Sequence, residues 1–193
     1  MVLDVFSRCV VGWMVATRES ATLATRFIEV ICIKQQIPPG QLTIHADRGP
    51  SMTSKAVAQL LADLSITKTH SRPYTSDDNP FSEAQFKTLK YRPDFPERFG
   101  SLQDARAYCR AFFHWYNQEH RHGGIAYLTP QSVHDGQPLA ILSARHATMQ
   151  AAFDRYPQRF KGRPPALQQL PDAVWINPPD TSANTLNDSG EHA

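Results

Sequence analysis

A chain of 193 residues with 41% hydrophobic and 20% charged side chains can bury one sizeable core and carry a smaller appendage. Its net charge of +2 makes no bulk demand for a polyanionic partner, so local basic clusters would have to meet one. No apolar run approaches ~18 residues, the start Met1-Val2-Leu3-Asp4 lacks a signal-peptide pattern, and Cys9, Cys32 and Cys109 fall in no metal-ligand spacing. These features point to a reduced chain in the cytoplasm.

Met1 to Phe6 and Cys9 to Ala16 are rich in strand formers and read as a hairpin, with Ser7-Arg8 as its turn. Ser20 or Thr22 can cap a helix whose apolar face is Ala24, Phe27, Ile28 and Ile31, and Pro38-Pro39-Gly40 stops it. Leu42 to Ala46 reads as a short strand ending at Asp47, with a turn forced by Arg48-Gly49-Pro50. Ser54 caps a second helix carrying Val57, Leu60, Leu61 and Leu64, and Ile66 to His70 is a further strand. Strand and helix alternating in this way predict an α/β layer with a parallel portion.

Ser71 to Asn79 is loop-like in composition, and a helix is expected to start near Pro80, because proline is tolerated in a first turn. On that helix Glu83, Lys87 and Lys90 share one face, with Phe86 and Leu89 expected toward the core. Ser101 and Asp104 form a capping-box pattern for the longest helix, Leu102 to about Gln118. Periodicity weakens after Gly123-Gly124, apart from a helix expected around Leu139 to Phe153. Residues 137–179 read as an extension, and 180–193 as a polar, disordered tail.

Two carboxylates stand out by position. Asp47 closes a strand and Glu83 lies near the start of a helix, and side chains at element ends can converge on one hard cation. Any soluble domain has many acids, so solvated side chains are the plain alternative.

The ordered motifs give these acids a context. They are Leu3-Asp4-Val5-Phe6-Ser7-Arg8 with Val11-Gly12-Trp13, then His45-Ala46-Asp47-Arg48-Gly49, then Asp78-Asn79 with Glu83 and Leu89-Lys90. Trp115-Tyr116-Asn117 follows, through Arg121, His122, Thr129-Pro130 and Val133-His134. Over roughly residues 1–136 the chain resembles the integrase-core transposases of bacterial insertion sequences, DDE enzymes related to retroviral integrases. The Val174-to-Pro179 stretch is also similar to the family.

The resemblance implies a ribonuclease-H-like mixed sheet flanked by helices. It also implies metal-dependent cleavage and transfer of DNA strands at insertion-sequence ends. Three carboxylates would hold two Mg2+ ions, with Mn2+ a substitute, because hard oxygen ligands suit these ions. Asp47 would be the second acid and Glu83 the third. The family's first acid lies on a strand that precedes the hairpin, and Asp4 matches a different, non-catalytic aspartate. The expectation is therefore a core lacking its first strand and its first catalytic Asp, with little activity alone. A non-catalytic DNA-binding or oligomerising remnant that modulates a full-length transposase is the rival reading. The partners implied are terminal-repeat and target DNA, and further copies of the chain or a full-length transposase.

Lys87 and Lys90 are expected to contact DNA phosphates, with Arg48 and Arg72, and more weakly Lys55 and Lys68, extending the basic rim. Arg121 and His122 are expected to fix a helix end, and His45 to pack. Trp13, Trp115 and Trp175 are expected to act as core or inter-segment anchors.

Overall fold

The computed structural model describes residues 1–71 and 79–176. Strands β1 (Val2–Leu3) and β2 (Val10–Gly12) pair antiparallel. They are joined by a longer turn than the two residues expected. Asp4 N donates to Cys9 O at 2.8 Å and Arg8 N to Asp4 O at 2.9 Å, so Val5 to Arg8 form the turn. Arg8 itself adopts φ 64°, a left-handed conformation uncommon for a side-chain-bearing residue.

Helix α1 (Ala21–Lys34) begins at Ser20, whose hydroxyl accepts from Leu23 N, and buries Ile28, Ile31 and Cys32. It ends before the prolines, at Gln35, and Gln36 then takes φ 51°. Strand β3 (Thr43–Ala46) runs parallel to β4 (Thr67–His70), His45 facing Thr69 in register. Between them lies α2 (Lys55–Asp63), capped by Ser54 and buried through Val57 and Leu61. Strand, helix and parallel strand make one compact unit. Ile28, Cys32, Val57, Leu61 and Ile66 form its core, with Ile44 packed against it.

Helix α3 (Pro80–Lys90) starts at the expected proline, and α4 (Leu102–Gln118) starts where the capping pattern placed it, Ser101 Oγ accepting from Asp104 N. A second core unites β2, α3 and α4 through Val10, Leu89, Phe112, Phe113 and Tyr116, with Leu3 and Trp13 against it. A third contains Ile125, Leu128, Val133 and Leu142, from the 3-10 turn Gly123–Ile125, α5 (Pro130–His134) and α6 (Pro138–Arg155).

The α/β class expected from the sequence is the one observed. Its strands are mixed in direction as expected, β1–β2 antiparallel and β3–β4 parallel, and they form two separate two-stranded ladders. Each ladder packs into its own apolar cluster, and helices supply most of the packing surface. Two other expectations are corrected. Phe86 is 43% exposed on α3, and Gln85 takes its inward place, at 2% exposure. Its position one turn before Leu89 puts Gln85 on the buried face. Trp13 and Trp115 pack against the second core, whereas Trp175 is 59% exposed.

Among the described residues, no helix is long and apolar enough to cross a membrane. The tail 180–193 lies outside the described residues.

Candidate nucleic-acid and metal site

Asp47 follows directly on β3, where the ladder ends and the chain turns outward. Its side chain is exposed, and its Oδ1 accepts from Gly49 N at 3.4 Å. The loop after it is braced from a distant part of the chain. Glu19 accepts from Ser51 N at 3.2 Å and from the Ser51 hydroxyl, and these bonds hold the Glu19 carboxyl below its usual pKa. His70 Nδ1 lies 3.1 Å from Asp47 O, so β4 fastens the backbone of the same residue. His45 sets its two ring nitrogens against the hydroxyls of Thr69 and Ser71.

Glu83 sits in the first turn of α3, also exposed. A negative side chain there is favoured by the positive end of the helix dipole. Lys87 and Lys90 occupy the last turn, both exposed, and favoured there for the opposite reason. The three share a helix face, and Lys90 Nζ also lies 6.0 Å from the Phe86 ring centroid. Among the described residues neither Asp47 nor Glu83 is in an ion pair.

Part of the expected basic rim is engaged by the chain's own backbone. Arg48 is exposed but donates from Nε to Ser71 O at 3.2 Å, so part of its donor set is spent on the turn. Lys68 turns inward, its ammonium donating to Met52 O. Arg72 and Asp78 lie outside the described residues. Among the described residues, no three His, Cys, Asp or Glu side chains gather as a cation site.

Asp4 has a structural setting. Its carboxylate accepts from Phe6 N and from the Ser7 hydroxyl, and its Oδ2 lies 3.2 Å from His134 Nδ1. The other ring nitrogen of His134 is 3.1 Å from Gln35 Oε1, tying the hairpin turn to α5 and the end of α1.

Sequence reading passed over a cluster beside α3. The Arg8 guanidinium lies 4.0 Å over the Phe81 ring and donates to Val5 O at 2.6 Å. His120 stacks on Tyr116 at 5.3 Å between centroids, and His122 lies 5.9 Å from His120. Burial first, then Arg8 and His120, hold the His122 imidazole below its ordinary pKa. His122, expected to fix the end of α4, instead accepts at Nδ1 from Gly124 N at 3.0 Å and caps the following 3-10 turn, while Arg121 is exposed. Arg8 and His122 both stand in the motifs named from the sequence, but nothing in the sequence brings Arg8 onto Phe81 or His120 onto Tyr116.

Two models described as integrase core domains match the chain, one over residues 1–76 and the other over 64–130. The transposase for insertion sequence element IS904 of Lactococcus lactis is 30% identical over 133 residues, covering 67% of this chain and 51% of its own length. Transposase InsF for insertion sequence IS3fB of Escherichia coli is 28% identical over 141 residues, covering 72% and 48% respectively. The chain thus spans about half the length of these relatives. Among solved structures, the catalytic core domain of BIV integrase overlays with a TM-score of 0.48 at 22% identity, covering 77% of this chain and 87% of that one. That overlay is too loose to add weight of its own. With both core-domain matches running through residues 1–130 and the transposases aligning alongside, the chain belongs to the integrase core family.

Proposed function

We propose that the chain supplies the catalytic core of an insertion-sequence transposase, acting in metal-dependent phosphoryl transfer on DNA. The observation that carries this reading is the placement of Asp47 and Glu83. Both are exposed and unpaired among the described residues; Asp47 follows β3, the parallel neighbour of β4, and Glu83 lies in the first turn of α3, the next helix after β4.

The donor chemistry fits magnesium. Carboxylate oxygens are its preferred ligands, and such ions are commonly held by one or two carboxylates together with waters and substrate phosphates. Asp47 and Glu83 would hold it, with Mn2+ able to replace it. A bound ion of this kind supplies charge neutralisation at a phosphoryl oxygen and a more acidic water. The chain's own contribution is orientation. Glu19, His70 and the Asp47–Gly49 bond fix the loop that carries Asp47, and Glu83 stands in the first turn of α3, at the positive end of the helix. Lys87 and Lys90, one and two turns further along the Glu83 face, would hold a DNA strand by its phosphates without reading sequence. Further copies of the chain, or a full-length transposase, would be its protein partners.

The test separates metal binding from turnover. Fe2+ substituted for Mg2+ in the presence of ascorbate should cut the backbone near residues 47 and 83, and Asp47→Asn or Glu83→Gln should abolish those cuts. In parallel, Mg2+-dependent cleavage or joining of duplex DNA bearing insertion-sequence ends is measured. Backbone cuts that ignore both substitutions, with DNA binding intact, would turn the reading to a non-catalytic DNA-binding module.

A further inference from the structure

The cluster around Arg8 has donors without acceptors. The guanidinium carries five N–H groups, and among the described residues only one hydrogen bond uses them, to Val5 O. The nearby carboxylate, Asp4, is already engaged by Phe6 N, Ser7 and His134. His122 accepts at Nδ1 from Gly124 N, so the neutral ring carries its proton on Nε2, where it is free to donate. His120 rests its ring face on Tyr116 and has no hydrogen bond to its nitrogens among the described residues. All three side chains are half-buried. Half-buried N–H donors with no acceptor among the described residues are costly to desolvate, and the oxygens of an anion would satisfy them.

The location says which anion. Arg8 is stacked on Phe81, in the first turn of α3, two residues before Glu83. The Asn79 side chain makes no capping bond to that turn, so the positive end of the helix faces the same neighbourhood. Resting on the proposed role of Glu83, we infer that Arg8, His120 and His122 hold a backbone phosphate of the bound DNA strand, adjacent to the phosphate served by Asp47 and Glu83. Lys87 and Lys90 lie toward the other end of α3. The helix would thus be gripped by one strand at both ends, with the reacting phosphate between.

The experiment measures binding of the full chain to a short DNA duplex over a range of salt. Three variants are chosen to spare the fold. His122→Asn keeps an acceptor for Gly124 N and removes the Nε2 donor, His120→Phe keeps the stack on Tyr116, and Arg8→Gln keeps a donor for Val5 O. Arg8→Gln should weaken binding about tenfold at 0.1 M salt and lower the log–log salt slope by about one unit. His122→Asn and His120→Phe should each weaken it about three- to tenfold. Thermal melting confirms folding, and if Arg8→Gln unfolds, the two histidine variants decide. Inorganic phosphate alone should compete only at high concentration, and saturation by free phosphate at low concentration would identify a small-anion site instead. Wild-type affinity in folded variants overturns the inference while leaving the Fe2+ cleavage result untouched. A wild-type chain that binds DNA normally yet gives no Fe2+ cuts would overturn the catalytic reading alone, and no DNA binding by the wild-type chain would overturn both.

Discussion

Asn117 closes the open edge of β2 with its side chain. Its Oδ1 accepts from Val10 N and its Nδ2 donates to Val10 O, both at 3.0 Å, so one amide reproduces what a neighbouring strand would give. The bond pair joins α4 to the hairpin across 107 residues of sequence. Val10 is itself 5% exposed, so either backbone group left unpaired there bears its full desolvation cost. Asn117→Ala should lower unfolding free energy by about 1–3 kcal/mol in urea titrations, and Val10 should lose amide-exchange protection more than Val57 does. An unchanged Val10 exchange rate would show that the amide is not its partner in solution.

His120 and His122, in the segment after α4, make stability depend on pH. Burial is the first cause lowering the pKa of both His120 and His122, and for His122 Arg8 and His120 add to it. The folded state therefore resists protonation. In the unfolded chain both rings take a proton near their ordinary pKa of about 6.5. Below that value the unfolded state binds more protons, so stability holds above it and falls as pH drops toward the depressed folded values. Urea midpoints at pH 7.5 and 5.5 check this, against the His120→Phe/His122→Asn double variant. The wild-type chain should lose more stability over that interval than the variant. Equal losses would place the pH sensitivity elsewhere.

Cys9 should resist chemical modification. Burial first, then the charges of Asp4 and Asp135, push its thiol up to about 12, and its side chain is 2% exposed. The reactive form is the thiolate, so iodoacetamide at pH 8 should leave Cys9 unlabelled in the native chain and label it in urea. Mass spectrometry of the peptides reads this directly. Fast native labelling would mean that the hairpin opens readily.

Much of the architecture was legible because it is encoded locally. Pro80 marks the first turn of α3, and Ser20, Ser54 and Ser101 each cap the helix that follows them. What escaped reading depends on partners distant in sequence. Asn117 looks like any polar residue late in a helix until Val10 is placed beside it. Lys68 is expected on the basic rim, yet its ammonium donates to the Met52 carbonyl. Gln85 takes the inward place expected for Phe86, because helical spacing alone leaves the face ambiguous by one residue and hydrophobicity pointed to Phe86. The carboxylates of the site could be named from motif order, whereas the Arg8–Phe81 stack required the hairpin turn and α3 to be folded together.

Gly12 is required by the approach of α1. A Cβ built on it would lie 2.6 Å from Ile31 Cγ1 and closer still to Cδ1, and Phe27 stands 3.4 Å away. Ile31 is 6% exposed and β-branched, so it has little room to change rotamer. Gly12→Ala should cost about 1–3 kcal/mol through overpacking. In the Gly12→Ala/Ile31→Ala double variant the added methyl meets space instead of a side chain, so the two effects should fall short of additive. Full additivity in urea denaturation would deny the contact.

Lys87 and Lys90 give the most direct test of the DNA face. Both are exposed in the last turn of α3, where they favour the helix dipole only modestly, so removing them should cost well under 1 kcal/mol of stability. For every phosphate that a side chain ceases to neutralise, the salt slope of duplex DNA binding falls by about 0.9. Lys87→Ala/Lys90→Ala should therefore flatten that slope by about two units and weaken binding most at low salt. Arg155→Ala, an exposed cation at the end of α6, should leave both unchanged. Fluorescence anisotropy across 50–300 mM salt (roughly the range where such slopes are linear) makes the comparison. An equal effect from Arg155 would reduce the Glu83 face to one basic patch among several, because diffuse attraction to net charge would then account for the binding.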